Sequence, residues 1–287
     1  MSRLLRIVKR AGNQFIADRC SVYAAAISYS GALSLAPLMI LAMWAFDQLD
    51  SQIRQQAVQH AQKAIGPQAG AALTVISSAS QDPHTETVAG WVSLAVLAFS
   101  ATAVLVQLQG IMNHIWCVKS RPGHAIRHFL VKRLQSLVLL MAMGAVLVAS
   151  LVATSALAAL SGRINLVLPG AAWQWIDLVV SILILTVAFG LLFKMLPDAQ
   201  LTWGDVGWGA ALTAVLLAIG KIGIAFYIAR AGMGSRYGAA GVLVAMLVWM
   251  YLAAMIVLFG VELTDARVRE SGRSIEPAPH AVRIERA

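Results

Sequence analysis

The sequence predicts an all-α polytopic membrane protein, with six transmembrane helices and a helical extramembrane lobe between the first and second. Two features of the chain point there. Of its 287 residues, 59% are hydrophobic and only 12% charged, against about 25% charged in soluble domains. Six apolar runs each reach the roughly 20 helical residues that cross a bilayer core of about 30 Å. A net charge of +9 read alone would suit nucleic acid, so the placement of the basic residues has to decide its meaning.

Residues 1–21 carry Arg3, Arg6, Lys9, Arg10 and Arg19, while Leu4, Val8, Ala11 and Phe15 recur at helical spacing. This pattern describes a basic amphipathic helix on a membrane surface. The apolar run at 22–46 is too long for a signal peptide core and reads as a retained helix. It holds Tyr29, Ser34 and Pro37, and the proline predicts a kink. Residues 47–89 are too polar to span but keep a helical period on either side of Gly66-Pro67, hence the lobe. The second span, 90–116, ends in Gln107, Gln109, Asn113 and His114. A basic linker leads to the third span, 134–160, and the fourth, 175–196, has Asp177 near its start and Lys194 near its end. The fifth and sixth, 206–228 and 239–261, form a hairpin turned at Gly232, Gly234 and Gly238. Together residues 22–263 make the membrane domain. The tail, 264–287, mixes five arginines with four acids and two prolines and is expected to stay unpacked.

Alternate sides of these spans differ in basic residues. One side has five Lys and Arg at the N-terminus, five in the 117–133 linker, Lys194 and five in the tail; the other has Arg54, Lys63, Arg163, Arg230 and Arg236. The excess places both termini in the cytoplasm and accounts for the net charge without nucleic acid. Cys20 and Cys117 then lie at cytoplasmic helix ends, where a structural disulfide is not expected.

Several short motifs, in this order and spacing, are similar to those of the YihY/BrkB family of bacterial inner-membrane proteins, formerly labelled ribonuclease BN. They are Ala24-Ala25-Ala26-Ile27-Ser28-Tyr29 followed by Ser34-Leu35-Ala36-Pro37, then Leu108-Gln109-Gly110-Ile111-Met112-Asn113-His114-Ile115-Trp116, and Leu196-Pro197-Asp198-Ala199. Gly209-Ala210, Gly220-Lys221, Tyr227, Tyr237-Gly238-Ala239-Ala240-Gly241, Trp249-Met250-Tyr251 and Gly260-Val261-Glu262-Leu263 complete the set. Ala36 stands where the family more often has an aromatic residue. The resemblance implies six helices, a bacterial inner-membrane location that makes the 47–89 lobe periplasmic, and links to virulence and to export of lipids or other envelope components.

Lys221 is the most informative single residue. A lysine within a span costs about 2.5–3.5 kcal/mol, which an acid, a watery cavity or snorkelling must offset. Asp177 matches it in depth, and because Gly220 and Gly223 leave room for close neighbours, Lys221 is expected to face the bundle interior or a cavity and not lipid. Glu262 lies at the inner end with Gln109, Asn113 and Arg133, where a polar network would either gate a pathway or only hold the bundle together. Gly207, Ala210, Ala211 and Ala214 form small steps for helix packing. Arg121, Arg127, Lys132 and Arg133 would draw anionic headgroups to the inner surface. His124 and His128 share a helical face, but neither a third metal ligand nor a carboxylate stands near them in the chain.

The favoured function is therefore transport or flipping of a lipid-like or anionic envelope substrate along a pathway through Tyr29, Ser34, Pro37, Gln109, Asn113, Asp177, Lys221 and Glu262. Anionic membrane lipids are the expected partners, with no nucleic acid, no cofactor, no metal and no enzymatic role. A non-transporting scaffold, docking envelope partners through the lobe, is the alternative. A membrane-bound ribonuclease is the third reading, disfavoured because no Gly-rich phosphate loop, HExxH, GxSxG or acidic metal cluster occurs.

Overall fold

A computed structural model describes residues 3–34, 102–120, 170–231 and 238–284, together with positions 92, 96, 134, 138, 139, 141, 142, 145 and 146. The 47–89 lobe, Pro37, the linker residues Arg121, Arg127, Lys132 and Arg133, and His124 and His128 lie outside these residues. The chain divides into two compact units, Met1–Tyr29 with Thr102–Ala287, and Ser30–Ala101. In the second unit, the described residues 30–33, 92 and 96 are helical.

In the first unit the helices are α1 (Arg3–Ala17), α2 (Cys20–Leu33, which runs on into the other unit), α3 (described over 102–115), α4 (Gly170–Met195), α5 (Trp203–Ala231) and α6 (Gly238–Glu270). The described positions between 134 and 146 are also helical. Among the described residues three stretches, Leu178–Met195, Trp203–Ile224 and Val244–Glu270, are long and apolar enough to cross a membrane. These fall on the expected fourth, fifth and sixth spans. The expected 1–21 segment is an amphipathic helix that stops short: Arg19 has φ 51°, and this left-handed residue separates α1 from α2.

α4 packs on α5, α5 on α6, and α6 on α1. Lipid tails are as apolar as leucine, so spanning helices associate through close fit and polar contacts rather than hydrophobic burial. At the α5–α6 crossing Thr213 lies over Gly260 and Thr264 lies over Gly209. Each threonine hydroxyl donates to the carbonyl four residues back in its own helix, Thr213 to Gly209 (2.8 Å) and Thr264 to Gly260 (2.9 Å). The sequence placed the small-residue steps partly elsewhere. Ala210 and Ala214 are indeed fully buried, but a methyl group at Gly207 would meet nothing within 4 Å.

The best-packed region is one end of this bundle. Trp116, Met112 and Ile115 of the α3 end, Phe193 and Leu196 at the end of α4, Val206 of α5 and Leu258, Val261 and Leu263 of α6 are all buried there. α1 lies along the same end of α6, burying Ile7 and Ala11 against Leu263 and Ala266 and setting Phe15 edge-on to Phe259. Arg6 pairs with Glu270 (2.7 Å), and Gln14 donates to Asp265 (3.3 Å).

α6 is 33 residues long, about 50 Å at 1.5 Å per residue, and overshoots a bilayer core. Gly272, at φ 71°, ends it. The Gly272 N–H donates to Arg269 O (3.0 Å) and the Arg273 N–H to Val268 O (3.2 Å), the paired bonds of a Schellman cap. The cap turns the tail back over the bundle end. There the tail forms β3 (Glu276–Pro277) and β4 (Ala281–Arg283), which pair antiparallel with β2 (Ala199–Gln200) and β1 (Val118–Ser120) respectively. Ile275 and Ala281 are buried. The expectation of an unpacked tail is thus overturned, because backbone pairing to two interhelical links replaces the apolar surface that its composition lacks.

Candidate functional site

The polar centre of this end is Asp198, in the turn between α4 and β2. Pro197 stops α4 and presents the aspartate to the end of α3, where Gln109 and Asn113, four residues apart, share a helical face. Gln109 Nε2 donates to Asp198 Oδ1 (3.2 Å), and Asn113 Nδ2 donates to Oδ2 (2.9 Å) while its Oδ1 accepts from the Asp198 N–H (2.9 Å). Ser120 of β1 donates to Oδ2 (2.8 Å), and His280 Nε2, between the tail strands, lies 3.0 Å from Oδ1. The Ala278 N–H closes the circle on the Asp198 carbonyl (2.9 Å). Asp198 is 2% exposed. One carboxylate thus fastens together α3, the link after it, the α4–α5 turn and the tail.

Two more buried acids lie on α6. Glu262 is fully buried and accepts from the Cys20 thiol (3.6 Å), while Asp265, also fully buried, holds Arg269 through two contacts (2.7 and 2.9 Å). The expected meeting of Glu262 with Gln109 and Asn113 does not occur: those amides are taken up by Asp198, and Glu262 faces α2 instead. At the start of α5, Thr202 caps the helix, donating to Asp205 Oδ2 (2.5 Å) and accepting from its N–H (3.3 Å). Asp205 also holds Arg273 of the tail (2.5 Å). Lys194 donates to the Leu201 carbonyl and lies 5.9 Å from the Trp203 ring.

Of the remaining expected site residues, Lys221 and Tyr29 are not drawn into this network. Lys221 is exposed on α5, as are Ile219, Ile222 and Phe226 beside it, and no ion pair involves it among the described residues. Its neighbour Gly220 faces Ile256 and Leu252 of α6, whereas a methyl group at Gly223 would meet nothing within 4 Å. Asp177 lies in α4 with its side chain outside the described residues. Tyr29 is exposed, and the Ser34 hydroxyl donates to the Gly31 carbonyl in the same turn (2.6 Å). Among the described residues no three His, Cys, Asp or Glu side chains are grouped to hold a metal ion.

Sequence reasoning quoted Asp198 as part of a motif but gave it no role, and missed Ser120 and His280. The signal was present for Asp198: a polar i, i+4 pair at a helix end needs a partner, and Asp198 lies in the link at the same depth. Nothing comparable marks His280, which reaches the site only because the tail doubles back.

Comparison with known proteins finds relatives described as membrane proteins. UPF0761 membrane proteins are 26% identical over 87% of this chain and 54% of the relative in Halorhodospira halophila, and 28% identical over 94% and 62% in Alkalilimnicola ehrlichii. A third, in Vibrio campbellii, is 28% identical over 87% of this chain and 78% of its own length. The chain therefore spans little more than half the length of the first two. No solved structure matches it. The sequence model of the family described as Virulence factor BrkB matches residues 11–285, and with its membrane-length helices the chain belongs to that family of membrane proteins.

Proposed function

We propose that the protein moves a lipid-like or anionic envelope substrate across the bacterial inner membrane, with both termini in the cytoplasm. The observation that carries this reading is the Asp198 centre. Apolar packing and helix caps suffice to hold a bundle end, whereas a buried carboxylate joining four separate segments costs desolvation and confers one specific closed arrangement. Such a network suits a cytoplasmic gate, closed here, whose segments part together when the Asp198 bonds break. Lys221, exposed on α5, would meet the substrate farther along the helix, and the basic linker would collect it from the inner leaflet.

The test uses the register partners Lys119 and Val282 across β1 and β4. Opposed strand residues lie within disulfide reach, so Lys119→Cys/Val282→Cys should lock the tail when oxidised. Proteoliposomes carrying the double variant are expected to lose translocation of a fluorescent anionic phospholipid on oxidation and to regain it on reduction. Unchanged translocation in the oxidised sample would remove the gate, and RNA cleavage that co-purifies with the chain would favour the nuclease reading.

Orientation is checked separately. Ser274 is exposed at the start of the tail strap. Ser274→Cys should react with an impermeant maleimide only after the cells are opened, and Ser51→Cys in intact cells. The opposite pattern would invert the assignment.

A further inference from the structure

A cavity of about 270 Å³ opens between α1, the start of α5 and the end of α6, lined by Leu4, Ile7, Trp208, Asp205, Arg267 and Arg273. Its lining is of two kinds. Leu4, Ile7 and the Trp208 ring form an apolar wall, and two guanidiniums with one carboxylate supply the polar part. The Arg267 guanidinium lies over the Trp208 ring, 4.9 Å from its centre, and Arg273 is held by Asp205 yet is half exposed. A second, more polar cavity of about 770 Å³ shares Asp205 and Arg273 and adds Lys194, Thr202 and Glu276.

Outside the apolar wall the surface continues as exposed Leu4, Leu5 and Val8 on α1. This row is distinct from the face that α1 buries against α6, and from its basic face carrying Arg6, Lys9 and Arg10. α1 therefore has three faces: one on protein, one apolar and open, one basic. The apolar stretch of α5 begins at Trp203, so the cavity sits where spanning helix gives way to polar chain, at headgroup depth.

We propose that this cavity is a binding site for an anionic glycerophospholipid. The phosphodiester is taken by Arg267 and Arg273, whose planar forks match phosphate oxygens. The headgroup projects toward the polar cavity, and an acyl chain runs over Trp208 and along Leu4, Leu5 and Val8. A free anion would leave the apolar wall and the open row of α1 uncovered, and a zwitterionic lipid would forgo the surplus positive charge. The site would hold its lipid whether or not the chain moves a substrate, by joining α1, α5, α6 and the tail.

The test titrates the full-length chain in detergent with phosphatidylglycerol bearing brominated acyl chains and reads quenching of tryptophan fluorescence. Saturable quenching is expected, with brominated phosphatidylcholine giving only a non-saturable decrease. Arg267→Gln should raise the half-saturation concentration about fivefold, the worth of one basic group near a lipid surface. Arg267→Lys should recover part of the loss, and Trp208→Phe should remove the saturable component. Arg230→Gln, at the other end of α5, deletes the same charge and should change nothing. The proposal fails if phosphatidylcholine saturates equally well, since the groove would then be an apolar contact only. It also fails if inorganic phosphate displaces the lipid, if Arg267→Gln binds as the wild type does, or if Arg230→Gln weakens binding as much.

Discussion

Asp198→Ala is expected to cost about 3–5 kcal/mol, the usual consequence of removing one partner from a buried charged network. The two amides carry most of it. Gln109 is 3% and Asn113 8% exposed, so their released N–H groups cannot turn to water, whereas Ser120 and His280 lie nearer the surface and can. The variant should lose most of its folded yield in membranes, and what remains should unfold at markedly lower temperature in fluorescence-detected size exclusion.

Asp198→Asn separates hydrogen bonding from charge. The Asn113 side chain is fixed, because its Oδ1 accepts from the residue 198 N–H, so the new amide must put its oxygen toward Asn113 and Ser120 and its NH₂ toward Gln109 and His280. Gln109 can flip its amide, and a neutral imidazole can accept at Nε2. The asparagine variant should therefore stay folded, at a cost of about 1 kcal/mol. Equal losses in the alanine and asparagine variants would mean that the negative charge, not the hydrogen-bond pattern, holds this end together.

The contrast between what the residues announced and what they concealed has a physical basis. Apolar runs of 20 or more residues announce helices directly, so the fourth to sixth spans could be read to within several residues, and the spacing of Leu4, Val8, Ala11 and Phe15 announced that 1–21 holds an amphipathic helix, although it is Ile7 and Ala11 that α1 buries against α6 while Leu4 and Val8 stay exposed. The extension of α6 to Glu270 was hidden because its last turns are polar and leave the hydropathy signal, although Gly272 after Arg267 and Arg269 is a helix-stop pattern. The tail strands are two and three residues long, too short for alternation to show, and are held by backbone bonds that side-chain composition does not report. Gln109 and Asn113 were visible as a polar helix end, but which acid they meet depends on how α3 sits against the α4–α5 turn. Asp198 and Glu262 were equally plausible by depth, and only their direction separates them.

Helix rotation decides the second large effect as well. Gly260→Ala is expected to destabilise the α5–α6 pair by about 1–3 kcal/mol, the range for overpacking a closed contact. The added methyl would collide with the Thr213 hydroxyl and sit 3.0 Å from its Cβ and 3.3 Å from Phe193 Cζ. Thr213 is fully buried and tied to the Gly209 carbonyl, so it cannot swing aside without losing that bond. Gly209→Ala should behave alike, because its methyl would strike Thr264 and approach the Gly260 carbonyl at 3.3 Å. Gly207→Ala, although it belongs to the small-residue pattern, should be neutral or stabilising: its methyl meets open space, and alanine favours a helix over glycine by about 1 kcal/mol. Thr213→Ala removes the colliding hydroxyl, so the double variant with Gly260→Ala should recover most of the loss, a coupling of about 1 kcal/mol or more in a double-mutant cycle. Thermal unfolding of the purified chain in one detergent supplies all the comparisons. If Gly207→Ala proves as damaging as Gly260→Ala, or the two changes at 213 and 260 simply add, then α5 is rotated on α6 relative to the arrangement described, and the threonine–glycine contacts do not set their separation.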